Sequence, residues 1–407
     1  MKSNLRRAIA LALATLALGS VRVQSAAAGS FTLVQPMGQF RKLHTATLLS
    51  NGKVLVTGGS PLAEAASSEL YDPAAQAWTN TGALSVGRKF HTATRLADGS
   101  VMVTGGQTAN SLLASTEVYD PAGGAWTNAG PLNVGRELHT ATLLTSGLVL
   151  VAGGFQNIAS AELFDPMTGQ WGLTGSMNTP RYQHTATRLP DGRVLVTGGL
   201  NATDLLASAE VYDPKTQLWI PTGSMHVPRA EHTATLLPSG KVLVTGGDGF
   251  GSPSELYDPA TGLWTATGTP IVSRSGHAAN VLPGGQVLIT GGREDAHVAI
   301  DCDSELYDPA TGSWSRTGAL NCGRISHAAT LLADGDVLVT GGTTGGTDFT
   351  DKADVYDGSA KTGAGPALCP PLARVTLEFR SRTEKCSSPE DSTGPSILSM
   401  ARSYTIR

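Results

Sequence analysis

The chain has 407 residues, a formal net charge of −4 and only 15% charged residues. With no Lys/Arg block it lacks the electrostatic footprint of a nucleic-acid binder, and beyond its first segment no apolar run is long enough to cross a bilayer. Glycine numbers 49, about 12% against a usual ~7%, and helix-favouring runs are scarce, a mixture that suits short strands joined by tight turns.

Residues 1–28 read as an export signal. Lys2, Arg6 and Arg7 make a basic start, Ala8 to Leu18 an apolar stretch, and Ala26–Ala28 a small-residue cleavage region. The expected mature protein begins near Gly29, is periplasmic or secreted, and has no membrane insertion. No Cys stands near the cleavage region, which argues against lipid attachment.

From residue 41 the chain repeats itself. Arg-x-x-His recurs at Arg41/His44, Arg88/His91, Arg136/His139, Arg181/His184, Arg229/His232, Arg274/His277 and Arg324/His327. The mean step is about 47 residues, a period that signals a propeller or a solenoid. Each unit carries four strand signals. The first is HTATLL-like and alternating. A hairpin signal such as Asn51-Gly52 or Asp98-Gly99 follows. The second strand, KVLVTGG in the best copies, is apolar on both faces and ends in a diglycine, Gly58-Gly59 in the first unit. The third, AELYDP-like, opens with an acid and turns through Asp-Pro-Ala-Thr-Gly. The fourth carries a Trp, and each of Trp78, Trp126, Trp171, Trp219, Trp264 and Trp314 stands ten residues before the next Arg.

A diglycine followed by a Tyr and then a Trp, as in Gly58-Gly59, Tyr71 and Trp78, resembles the Kelch repeat family. The resemblance covers about 31–357 and implies a β-propeller. After Tyr356-Asp357 no Trp follows, yet Phe31 keeps the Trp spacing to Arg41. Residues 31–37 therefore read as the missing fourth strand of the last blade. The expected fold is all-β, a seven-bladed Kelch-type propeller over 29–357 whose last blade is closed by the N-terminal strand, leaving no free sheet edge. Residues 358–407 follow no repeat, and their Pro, Ser and charge content reads as a poorly ordered tail.

The seven histidines occupy equivalent places on the innermost strands. One metal needs about four ligands at ~2 Å, and seven places round a ring do not converge so closely. His44 and its equivalents are therefore expected to be architectural, bonding between strands or blades. Arg41 and its equivalents should pair with the acids that open the third strands, Glu69, Glu117, Glu162, Glu210, Glu255, Glu305 and Asp354; the alternative is an anion-binding ring of arginines at the axis.

Departures from the repeat point to the candidate site. The loop after the diglycine is longest in units six and seven. The sixth carries Arg293, Glu294, Asp295, His297, Asp301 and Asp303, and the seventh Asp348, Phe349 and Asp351. Such carboxylates suit sugar hydroxyls, or a hard cation such as Ca²⁺; the plainer reading is solvated loop charge. No other cofactor is expected. The cysteines are Cys302, Cys322, Cys369 and Cys386, with three possible pairings. A Cys302–Cys322 bridge would stiffen the loop face and leave Cys369 to pair with Cys386.

No Gly-x-Ser-x-Gly elbow, phosphate loop or His-Glu-x-x-His is present. The leading expectation is a non-enzymatic recognition module that meets a glycan or protein partner through loops on one face. An enzyme of carbohydrate chemistry is the rival, since the resemblance extends to galactose-oxidase-like copper oxidases and to sialic-acid mutarotases. The first needs a Cys from an early blade and a late His, where this chain has no Cys before 302 and no His after 327. The second is generally six-bladed. A structural surface protein is the third reading.

Overall fold

A computed structural model describes residues 29–61, 65–293, 300, 302–345 and 348–358. Seven four-stranded antiparallel sheets form seven blades. Blade 1 runs Thr45–Leu48, Val54–Thr57, Ser68–Asp72 and Ala77–Thr81, and blades 2 to 6 repeat that meander in chain order. Blade 7 is composite, in the order Ser30–Val34, Ala353–Asp357, Val337–Thr340, Ala328–Leu331. Phe31 faces Tyr356 across that seam with ring centroids 5.0 Å apart, the separation that Tyr71 and Trp78 keep in blade 1. The N-terminal strand thus supplies the missing aromatic and closes the ring. First strands of successive blades are neighbours, blade 1 on blade 7 included, so they encircle one axis.

Alternation and burial explain the pattern. Every second strand is buried on both faces, because each lies inside its sheet and between two neighbouring sheets. Val54 and Val56 of blade 1 pack with Leu338 of blade 7, one of several such clusters that join adjacent blades. The outer strand is half exposed, and its Trp covers the blade edge while in most blades the indole N–H reaches a backbone carbonyl of the preceding blade, as Trp264 Nε1 does to Gly223 O at 2.7 Å; Trp171 donates instead to Thr116 Oγ1.

The diglycine has a steric cause. A Cβ on Gly58 would lie 2.5 Å from Cε1 of His91 in the next blade, and the first glycine of every other pair meets the next His at 2.6–2.7 Å. Both glycines also hold positive φ, 71° and 106° at Gly58 and Gly59, a region costly for any side chain. The imidazole of one blade is therefore seated on the glycine of the one before, seven times, with His44 on Gly341 closing the circle.

Candidate functional site

The face where first strands begin and diglycines end is built in two layers. The lower layer is architecture. Each of the seven arginines is 0–1% exposed and is held within its own blade. Arg136 Nη2 donates to Glu162 Oε1 at 2.6 Å, and its Nη1 donates to Gly153 O and Ser160 O, both at 2.9 Å. The pairs Arg41–Glu69, Arg88–Glu117, Arg181–Glu210 and Arg274–Glu305 repeat this at 2.6–3.1 Å, and Arg324 pairs with Asp354. Blade 5 departs: Arg229 is shared between Glu255 at 3.5 Å and Asp248 at 3.8 Å, while Glu255 takes His226 Nδ1 at 2.7 Å.

The histidines bind blade to blade. His91 Nε2 lies 3.0 Å from Thr45 Oγ1 of blade 1, and His139, His184, His232 and His277 each meet the corresponding Thr of the preceding blade. In blades 6 and 7 that Thr is replaced by Ala278 and Ala328. The next histidines turn instead to the cross-strand neighbours Thr290 and Thr340, at 3.2 and 2.9 Å. Burial, then the nearby arginines, push these imidazoles far down, to about 3 for His91, His139, His232 and His327. They are neutral spacers. Among the described residues no three His, Cys, Asp or Glu side chains gather to hold a metal ion.

The upper layer is the variable pair between Arg and His. The second residue of each pair has positive φ, 59° at Leu43, 56° at Phe90, 54° at Leu138, 53° at Gln183, 54° at Glu231, 63° at Gly276 and 56° at Ser326. Their backbones bond round the axis: Leu138 N donates to Phe90 O, Gln183 N to Leu138 O, Glu231 N to Gln183 O, Gly276 N to Glu231 O, and Leu43 N to Ser326 O. A rim of peptide groups therefore frames the channel mouth, and the side chains it carries differ from blade to blade. Gln183 Nε2 donates to Glu231 Oε1 at 2.6 Å, and Arg293 stands 4.0 Å from the other Glu231 oxygen. On the other side lie aromatics: Phe90 under Lys89 at 5.4 Å, and Phe155 edge-on to Tyr182 at 5.2 Å and 90°. The mouth thus has a polar arc on blades 4 to 6 and an aromatic arc on blades 2 to 4.

Of the loop residues expected from the sequence, the described ones are divided among different partners. Arg293 joins the polar arc. Asp303 is ion-paired to Arg316. Phe349 lies under Lys42 at 4.6 Å, Asp348 accepts Thr343 Oγ1 through its carbonyl at 2.7 Å, and the Asp351 carbonyl takes Met37 N at 2.8 Å. Glu294, Asp295, His297 and Asp301 lie outside the described residues. The rim residues Phe90, Gln183 and Glu231 are not marked by loop length, since they lie in the short segment before each first strand. The signal was available: the two letters between an invariant Arg and His read KL, KF, EL, YQ, AE, SG and IS.

The Cys302–Cys322 bridge is not formed. Cys322 is a free thiol, and its Sγ accepts Arg324 Nη2 at 3.1 Å. It occupies the role that Ser115 Oγ plays for Arg88 at 3.0 Å, since blade 7 has Lys352 where that serine would be. Buried Cys302 is disulfide-bonded elsewhere, and Cys369 and Cys386 lie outside the described residues.

Comparison with known proteins agrees with this geometry. The Kelch motif matches at residues 90–133 and 180–226. No curated protein matches. Among solved structures, a fungal alcohol oxidase of the AA5 family in complex with copper superposes with a TM-score of 0.66 at 20% identity, over 81% of this chain and 76% of that one. At that identity the likeness is one of fold.

Proposed function

We propose that this chain, a seven-bladed Kelch propeller, is an exported, non-enzymatic recognition module that binds a saccharide at the channel mouth. One observation carries the reading. The repeated Arg and acid side chains pair with each other and the histidines bond to threonines over the glycines, whereas the variable rim offers an aromatic arc beside an amide–carboxylate–guanidinium arc. Aromatic faces receive the C–H face of a sugar ring, and planar amide and carboxylate groups receive its hydroxyls. Binding residues carried by a rigid scaffold are the usual arrangement. The copper chemistry of the alcohol oxidase is not carried over, because the fold alone is shared and fold does not decide function.

Thermal unfolding against a saccharide panel tests this. Ligand at 100 times its dissociation constant stabilises by about 2.7 kcal/mol. The expected result is a rise in Tm with at least one saccharide that disappears in the Phe155→Ala/Tyr182→Ala double variant. A panel with no shift would overturn the saccharide reading and leave a protein partner as the ligand of this face.

A further inference from the structure

We infer that Glu137 is the ligand-reading carboxylate of a subsite on blades 2 to 4, and that this subsite takes a neutral sugar ring, hydroxyl to carboxylate and C–H face to Phe155 and Tyr182; the inference rests on the saccharide reading above. The acids that open the third strands face arginines, and Glu231 is shared by Gln183 and Arg293. Glu137 is different. It is 6% exposed, and its Oε2 is buried with no hydrogen-bond partner among the described residues. A buried acceptor left unmet costs free energy that folding alone gives no reason to spend.

Its neighbours say what would meet it. Phe155 N donates to the Glu137 backbone carbonyl at 2.9 Å, so the two residues are joined through the backbone, and Tyr182 closes against Phe155 from blade 4. Burial pushes the Glu137 carboxyl up, and the positive charge of Lys89 on blade 2 pulls it back. Lys89 offsets only part of the cost of that buried charge, and the remaining deficit is a hydrogen-bond donor. A cationic ligand would meet Lys89, and an anionic one would meet Glu137 and Glu231. A neutral hydroxyl supplies the donor without either conflict.

The test uses the full chain with methyl glucoside, methyl galactoside and methyl mannoside as probes, glucosamine and glucuronate as charged controls, and titration calorimetry as readout. A neutral glycoside should bind, with both charged sugars weaker, and Glu137→Gln should raise its Kd about tenfold or more, as loss of a charged acceptor implies. Unliganded Glu137→Leu should unfold at the same or a higher temperature, a result that a structural role would reverse. Unchanged glycoside affinity in Glu137→Gln overturns the assignment of Glu137 while leaving the saccharide reading intact. A wild-type chain that binds none of the glycosides overturns both. Tighter binding of glucosamine or glucuronate overturns the neutral class, and a lower Tm for Glu137→Leu makes the residue structural.

Discussion

Single residues show how closely the repeat is balanced. In most blades the Tyr of the third strand reaches a Thr of the preceding blade, as Thr81–Tyr119 at 2.7 Å, Thr174–Tyr212 at 2.7 Å and Thr267–Tyr307 at 2.8 Å. At the junction of blades 2 and 3 both members change together: Ala129 replaces the Thr and Phe164 the Tyr. Neither hydroxyl is left without its partner in a buried seam. This gives a clean cycle. Phe164→Tyr alone should destabilise by about 1–3 kcal/mol, the cost of an unmet buried hydroxyl. Adding Ala129→Thr should recover about 1 kcal/mol of coupling in urea unfolding. Additive single effects would show that the seam is solvated and the hydroxyls are not linked. The same balance explains Thr290 and Thr340, which take over when Ala278 and Ala328 remove the usual partner of the next histidine.

At the scale of the element, the four-strand unit was legible because its causes are local or strictly repeated: the Asn51-Gly52 turn, the two-faced apolar second strand, the Trp at fixed distance from Arg. Phe31 was legible for the same reason, since it keeps the Trp spacing and pairs with Tyr356. The Arg–acid pairs were visible as residue types but not as geometry. Blade 5 illustrates the gap, because Asp248 lies in the loop after the diglycine and nothing in the repeat marks it as a second partner for Arg229. The Cys302–Cys322 bridge failed likewise: the sequence brings the two cysteines to one face but does not show that Arg324 holds the Cys322 thiol. Blade 5 also makes a prediction. Glu162→Gln strands a fully buried guanidinium and should cost about 3–5 kcal/mol. Glu255→Gln leaves Asp248 facing Arg229 and should cost roughly half as much. Equal losses by chemical denaturation would mean that Asp248 contributes nothing to that pair, and adding Asp248→Asn would then change little.

Over the whole molecule, one ring of seven neutral imidazoles joins every blade to the next, so proton uptake acts on all the seams together. The unfolded chain has histidines near 6.5, whereas in the fold burial and the neighbouring arginines hold four of them at about 3 and His44, His184 and His277 well below their ordinary value. A folded value below the unfolded one means that the unfolded state binds the proton first. Stability is therefore full above pH ~6.5 and falls as pH drops from there, and His91, His139, His232 and His327 cost nothing more below about 3. Each histidine contributes at most about 1.4 kcal/mol per pH unit in that window. Seven together approach ~10 kcal/mol per unit, as large as the whole stability of an ordinary domain. Asp72, Asp98, Asp248 and Asp258, whose carboxyls are held below 3.8, add to the loss only at more acid pH. Between pH 6 and 4.5 the urea midpoint should thus fall steeply, with several protons taken up on unfolding. His91→Gln, which keeps an amide near Thr45 Oγ1, should lower that uptake by about one proton while reducing stability at pH 7. A midpoint that stays flat over this range would show that the ring is already solvated, and with that the view of the histidines as dry spacers between blades would fall.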